Sequence, residues 1–300
     1  MRALRLTAPR TAEVIEAPMP EPAAGQVLVK VLGCGICGSD LNAWRGVPGI
    51  AYPLPPGLPG HEVFGQVAGT DRRVTGLLSA GFAEYAVADL NRIVDVPDGE
   101  DGLLGEPLAC AAGIAYRAHI RGDHSAAVVG FGYLAALTMK LLHPRPHRWI
   151  ALSRRSSARQ LALELGAEAA YDYGSVPPAL WDSFDVVIEA AGVQQTLDCA
   201  TWLVRPGGRL VIAGYHADGP RTVNMQTWNW KGIDVINAHE RNPEVSLRNL
   251  RMGLREARER QLRLEGLVTH HWPLDHAAEA LAAADNHPED YVKGVIRPWP

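Results

Sequence analysis

The sequence predicts an α/β protein in two parts, a β-rich unit and a doubly wound parallel sheet covered by helices. Three observations carry this. From Ser125 to about Ile236, apolar strand segments alternate with amphipathic helix segments, the order that builds a parallel sheet with helices on both faces. The N-terminal third is instead a series of short β-rich segments cut by Gly and Pro. The chain has 300 residues, and at about 150 residues per domain that suggests two domains.

In chain order, Gln26–Leu32, His61–Ala68 and Phe82–Ala88 read as strands from their alternation and β-branched content. Between the first two lies Tyr52–Pro59, whose prolines forbid a helix. Past Pro107 the texture changes. Strands follow at Ala126–Val129, Trp149–Leu152, Phe184–Glu189 and Arg209–Ala213, with helices over Tyr133–Leu142, Ser157–Leu165 and Val193–Leu203. Asn242-Pro243 opens a charged helix reaching about Gln261, whose arginines mark a solvated face. The chain closes with a strand at Leu267–His270, a helix at Asp275–Ala284 and a strand at Lys293–Ile296.

Composition narrows the function. Hydrophobic residues make up 47% and charged residues 21%, so cores form without staples. Lys+Arg 29 against Asp+Glu 33 gives a net charge of −4, which argues against nucleic acid as a partner because that selects a basic surface. Four cysteines at this length are no disulfide framework and point to a reducing compartment. The first residues, MRALRLTAPRTAEVIEA, lack the apolar segment of a secretory signal. The longest apolar-rich run, Ala126–Met139, is shorter than the roughly 20 residues a membrane span needs. The expectation is a soluble, cytoplasmic protein with no membrane partner.

The segment Ala126–Ala135 runs from a strand through Gly130-Phe131-Gly132-Tyr133-Leu134-Ala135 into a helix. This is G-x-G-x-x-A. The first glycine permits the tight turn, the second lets a pyrophosphate approach the backbone, and the small third residue lets helix and strand pack closely. Phosphates then meet free N–H groups and the positive end of the helix dipole. These six residues are the predicted dinucleotide site of a Rossmann unit. A site for NAD places a carboxylate about 20 residues further on, at the end of the second strand, to hold the ribose hydroxyls. Here that place is Ser153, followed by Arg154 and Arg155. A hydroxyl and two guanidinium groups suit a 2′-phosphate, so the expected cofactor is NADP(H).

A second constellation lies earlier. Cys34-x-x-Cys37 has no second C-x-x-C to complete a zinc knuckle. The stronger signal is Gly35-Ile36-Cys37-Gly38-Ser39-Asp40, then Gly60-His61-Glu62, then Glu106-Pro107. Thiolate, imidazole and carboxylate are all ligands for Zn²⁺, and a catalytic site needs three protein ligands and one open position.

With these residues the chain resembles the zinc-dependent medium-chain dehydrogenases/reductases, the alcohol and polyol dehydrogenase group. The resemblance runs through G-I-C-G-S-D, G-H-E, G-F-A-E-Y (Gly81–Tyr85), E-P-L-A (Glu106–Ala109) and the Gly130 loop. It continues through D-V-V-I-E-A-A-G (Asp185–Gly192), R-P-G-G-R-L (Arg205–Leu210) and P-L-D-H-A-A-E-A (Pro273–Ala280). It implies a GroES-like catalytic domain over 1–108 and 262–300, a Rossmann cofactor domain over 109–261, and a cleft between them. It implies that Cys37 and His61 ligate one catalytic zinc, with Glu106 as third ligand and Cys110 as the outside alternative. Glu62 is then the carboxylate beside the metal, either an alternating ligand or one step removed. Asp40 holds the ligating histidine, and Ser39 is the hydroxyl that meets the substrate oxygen. Many relatives carry a histidine three residues after that serine, where this chain has Asn42, which cannot titrate. The 19 residues between Glu62 and Phe82 leave no room for the four-cysteine structural-zinc lobe of many relatives.

The implied function is zinc-dependent hydride transfer between NADP(H) and a secondary alcohol, polyol or sugar-like substrate and its ketone, in a homodimer or homotetramer. Two alternatives stand beside it. One is a zinc-free reductase of activated double bonds or quinones, against which the Cys/His/Glu set argues. The other is a non-enzymatic NADP-binding protein.

Overall fold

The computed structural model describes residues 1–96, 105–217, 219–263 and 266–299. It divides into two compact units, Met1–Ala109 with Asn242–Pro300, and Cys110–Arg241. The first unit opens with the hairpin β1 (Arg2–Ala8) and β2 (Thr11–Glu16), then β3 (Gln26–Gly35), α1 (Asp40–Arg45), β4 (Glu62–Val67), β5 (Arg73–Gly76), β6 (Tyr85–Asp89) and β7 (Ile93–Asp95). Helix α2 (Glu106–Ala118) leads into β8 (Ser125–Val129), α3 (Tyr133–Leu141), β9 (Arg148–Leu152), α4 (Ser156–Glu164) and β10 (Ala169–Tyr171). Next come β11 (Phe184–Glu189), α5 (Gln194–Leu203), β12 (Val204–Ile212), α6 (Met225–Lys231) and β13 (Asp234–Asn237). The chain returns to the first unit through α7 (Pro243–Glu259), β14 (His270–Pro273), α8 (Ala277–Asn286) and β15 (Gly294–Arg297).

The second unit is the doubly wound sheet the alternation predicts. Its six parallel strands run in the order β10-β9-β8-β11-β12-β13. Every residue of β8 is buried, as expected for a strand covered by helices on both faces. Ile150, Leu152, Phe184, Val187 and Leu210 pack with Leu197, Ala200 and Leu203 of α5. The order reverses between β8 and β11, and such a switch point is where these folds bind ligands.

One carboxylate ties three strands of this sheet together. Asp185 accepts hydrogen bonds from the Ser125 N–H at 2.8 Å, the Ser125 hydroxyl at 2.7 Å and Arg205 Nε at 2.8 Å. Partial burial alone raises a carboxylate's pKa, but these three donors win and hold Asp185 well below its ordinary 3.8.

In the first unit β3 is the organising strand. It pairs with β4 along most of its length, with β6 over Gln26–Lys30, and with β15 at Cys34 and Gly35. All three pairings are antiparallel. Its buried residues Val29, Val31 and Cys34 join Leu4, Leu6, Val63, Phe82, Leu281 and Ile296 in one core. Trp44 is part of that core.

Two boundaries differ from the sequence reading. The strand expected at Leu267–His270 lies at His270–Pro273. Leu267 is buried, but pairing starts only where the Thr269 and His270 N–H groups reach the Lys293 carbonyl, at 3.0 and 3.1 Å. Helix α7, placed with the cofactor domain by the boundary at 262, belongs to the first unit. Its charges point to solvent, while Leu247, Leu250, Leu254 and Ala257 form a buried stripe. Gly253 sits so close to Leu108 that a Cβ there would lie 2.8 Å from its Cγ.

Asp185→Asn is expected to destabilise the protein by about 1.5–3 kcal/mol at pH 7, read from urea unfolding. Because the folded pKa is depressed, the wild-type advantage is full above the ordinary 3.8 and shrinks as the pH falls below it.

Candidate functional site

The first unit brings Cys37, His61 and Glu62 together, with one potential ligand atom from each within 4.8 Å of the others. Among the described residues this is the cluster of three or more such groups close enough to share an ion. Local structure explains the meeting. Cys37 follows β3, His61 immediately precedes β4, and the two strands pair with Gly35 opposite Glu62.

Asp40 organises the cluster from behind. It is 1% exposed. Its Oδ2 accepts the Cys37 N–H at 2.8 Å, and its Oδ1 lies 2.9 Å from His61 Nδ1. That engages one ring nitrogen and leaves Nε2 as the ligating atom, the arrangement in which a carboxylate fixes a metal-binding histidine. Burial works against a charged imidazole here, but Asp40 and Cys37 outweigh it and push His61 up to about 12. Two acidic neighbours thus stabilise positive charge on the imidazole. With soft, borderline and hard donors in one cluster, the set fits Zn²⁺.

Glu62 has a second partner that the sequence did not reveal. Its Oε2 forms an ion pair with the Lys293 ammonium, and both side chains are less than one-tenth exposed. Lys293 Nζ also donates to the Ile36 carbonyl at 2.9 Å. The pair sits over Gly35, where a Cβ would fall 2.0 Å from Glu62 Oε2 and 3.0 Å from Lys293 Cε.

The other sequence candidates are placed as follows. Ser39 precedes α1 and makes no capping hydrogen bond with its hydroxyl. Glu106 is the half-buried first residue of α2 and is not one of the three clustered groups. Cys110 is exposed on α2. Cys34 is in the core, where burial pushes its thiol well up, and burial raises Cys199 to about 11.

In the second unit the glycine loop has the geometry its pattern requires. Gly130 has φ +88°, and a Cβ there would lie 2.6 Å from Ala191 Cβ. Glycine is needed for both the dihedral and the approach. Phe131 is buried and stacks on Trp149. Gly132 is the N-cap of α3 and faces open space. Tyr133 and Ala135 are buried in the first turn of α3, with Leu134 half-buried between them. The Gly130 N–H donates to the Leu152 carbonyl at 2.9 Å, which brings the loop beside the end of β9. There Ser153 is buried, Arg154 is exposed and Arg155 is the N-cap of α4.

Sequence reasoning missed two features of this edge. Arg159 donates to the Ser153 and Arg154 carbonyls at 2.8 and 2.7 Å, one helical turn past the Ser-Arg-Arg segment. Glu189, fully buried, accepts from the Ala191 and Gly192 N–H groups and lies 3.1 Å from His216 Nε2. Arg221 donates to His216 Nδ1 at 2.9 Å. The motif around Glu189 was visible, but its partners come from a loop with no pattern of its own.

Two units, one β-rich with a clustered thiol, imidazole and carboxylate and the other a doubly wound sheet with a glycine-rich loop at its switch point, define a nucleotide-dependent dehydrogenase fold. Residues 23–81 match the alcohol dehydrogenase GroES-like domain, and residues 136–251 match the zinc-binding dehydrogenase family. The chain belongs to the zinc-type medium-chain alcohol and polyol dehydrogenase family. It is 25% identical to D-arabinitol dehydrogenase 1 of Uromyces fabae, over 94% of this chain and 93% of that one. A structure from Sinorhizobium meliloti 1021 bound to NADP superposes with a TM-score of 0.85, at 24% identity and 99% coverage of both chains. A second, from Escherichia coli CFT073 complexed with NADH, superposes at 0.82, with 22% identity and 99% coverage of both. Among the described residues no helix is long and apolar enough to cross a membrane.

Asp40→Ala is expected to weaken zinc binding by about 10–100-fold, measured by competition with a chromogenic chelator, while circular dichroism shows an unchanged fold.

Proposed function

We propose that the protein is a zinc-dependent, NADP(H)-preferring oxidoreductase of secondary alcohols or polyols and their ketones. The observation that carries this reading is the Cys37, His61 and Glu62 cluster with Asp40 behind it. Cys37 and His61 are the residues proposed to hold the zinc. Glu106 is proposed as its third protein ligand, on the family resemblance, with Glu62 at its side. When bound, the zinc supplies Lewis-acid polarisation of the alcohol or carbonyl oxygen.

This chain's own residues do the rest. Asp40 keeps the His61 ring oriented and in the tautomer that presents Nε2. Ser39, whose hydroxyl is not spent on capping α1, donates to or accepts from the substrate oxygen and carries its proton. Asn42 cannot relay that proton onward, so it passes to water or to the cofactor ribose. The Gly130–Ala135 loop and the start of α3 receive the pyrophosphate. The hydride itself is the nicotinamide's chemistry. The D-arabinitol dehydrogenase relative supports a polyol-like substrate. The family resemblance supports a homodimer or homotetramer acting on a small-molecule alcohol or ketone, and the low cysteine content supports a cytoplasmic setting.

Structures of the same fold carry NADP in one case and NADH in the other. The NADP(H) preference therefore rests on Ser153, Arg154 and Arg155, where a carboxylate for the ribose hydroxyls is missing. Arg159 braces that edge, its guanidinium donating to the Ser153 and Arg154 carbonyls with Asp172 3.7 Å away as counter-ion.

Two measurements test the proposal. Metal analysis is expected to find one zinc per chain, with Cys37→Ser losing both the zinc and turnover on an alcohol and polyol panel. Turnover without zinc favours the reductase of activated double bonds instead, and cofactor binding with no turnover favours the non-enzymatic reading. The variant Arg154→Ala/Arg155→Ala is expected to weaken NADPH binding by about 10–100-fold, the worth of lost charge-assisted hydrogen bonds. NADH binding is expected to stay within about twofold, both read by fluorescence titration.

A further inference from the structure

We propose that Lys293 is a positioning residue that holds the Glu62 carboxylate away from the metal, keeping a coordination position open for substrate. The inference rests on the zinc reading above. Glu62 lies within 4.8 Å of the ligand atoms of Cys37 and His61, so its carboxylate is within reach of an ion bound there. Two cations then compete for one carboxylate, and the structure shows one of them engaged.

The pair is built rather than incidental. Glu62 is fixed at the start of β4 and Lys293 directly before β15, and β3 runs between them with Gly35 opposite both Glu62 and Val295. Any side chain at position 35 would occupy the place of Oε2. The ammonium is tied down by the Ile36 carbonyl. Its backbone is held by Thr269, whose N–H donates to the Lys293 carbonyl at 3.0 Å. Both charges are buried, where an ion pair is screened little by water. A carboxylate held this way is costly to withdraw, and an unpaired one would turn to the nearest cation. An open position is what separates a catalytic zinc site from a closed structural one.

The test uses the full chain loaded with Co²⁺ in place of zinc, reading the visible d–d absorption and the rate of metal release to a chelator. Wild type and Lys293→Arg are expected to share one spectrum and one release rate. Lys293→Met frees Glu62 to bind, so the spectrum shifts and release slows by about tenfold, the scale on which such neighbouring groups act. Glu62→Gln and the double variant Glu62→Gln/Lys293→Met are expected to match each other and keep the wild-type spectrum. A wild-type spectrum and release rate in Lys293→Met overturn the proposal and make the pair purely structural. An effect of Lys293→Met that survives in the Glu62→Gln background also overturns it. If Lys293→Met does not fold, Glu62→Gln decides alone. A changed spectrum there means Glu62 is a ligand despite Lys293, which contradicts the proposal, and an unchanged one supports it. Wild-type protein that takes up no Co²⁺ overturns the metal reading itself, and this inference with it.

Discussion

The first unit depends on what happens at the end of β3. Three strands distant in sequence meet at Gly35, and the meeting is closed by a buried ion pair between Glu62 and Lys293. Removing one partner of such a pair typically costs about 3–5 kcal/mol, because the other charge stays buried. The same few residues set the candidate metal centre, since Cys37 follows β3 and His61 precedes Glu62. The return of the chain after α7 is therefore part of the site's construction. Without the segment that leads into β15 the Glu62 carboxylate loses its counter-ion.

The second unit solves a different problem, that of bringing backbone close to phosphate. Gly130 accepts a positive φ and the approach of Ala191, which places the β8 and β11 loops side by side. Glu189 stiffens the β11 loop by accepting two of its N–H groups, and His216 and Arg221 extend that network into the loop after β12. Asp185 does the equivalent work at the opposite end of the same strand. One strand thus carries a carboxylate at each end, a partly exposed Asp185 that ties neighbouring strands together and a fully buried Glu189 that orders the loop after it.

Much of this was legible in the sequence. The βα alternation gave the parallel sheet, because strands buried on both faces and amphipathic helices have distinct periodicities. The glycine loop was readable because only glycine satisfies its dihedrals. Cys37, His61 and Glu62 were readable from motif and resemblance, and the structure places them in one cluster. Other features were hidden for physical reasons. Lys293 lies 231 residues from Glu62 (293 − 62), and no local pattern marks a lysine whose partner arrives from another strand. Helix α7 presents many charges, which masked the apolar stripe that assigns it to the first unit. The start of β14 follows from pairing with the Lys293 carbonyl and not from its own residue types.

The proposed catalytic zinc site has Cys37 and His61 on the metal and Glu62 turned toward Lys293. Crystallographic anomalous scattering at the zinc absorption edge tests it most directly, on protein purified without added metal. One peak per chain is expected, bonded to Cys37 Sγ and His61 Nε2, with Glu62 Oε2 still on the Lys293 ammonium. No peak at Cys37 and His61, or a peak bonded to Glu62 with Lys293 displaced, would contradict it.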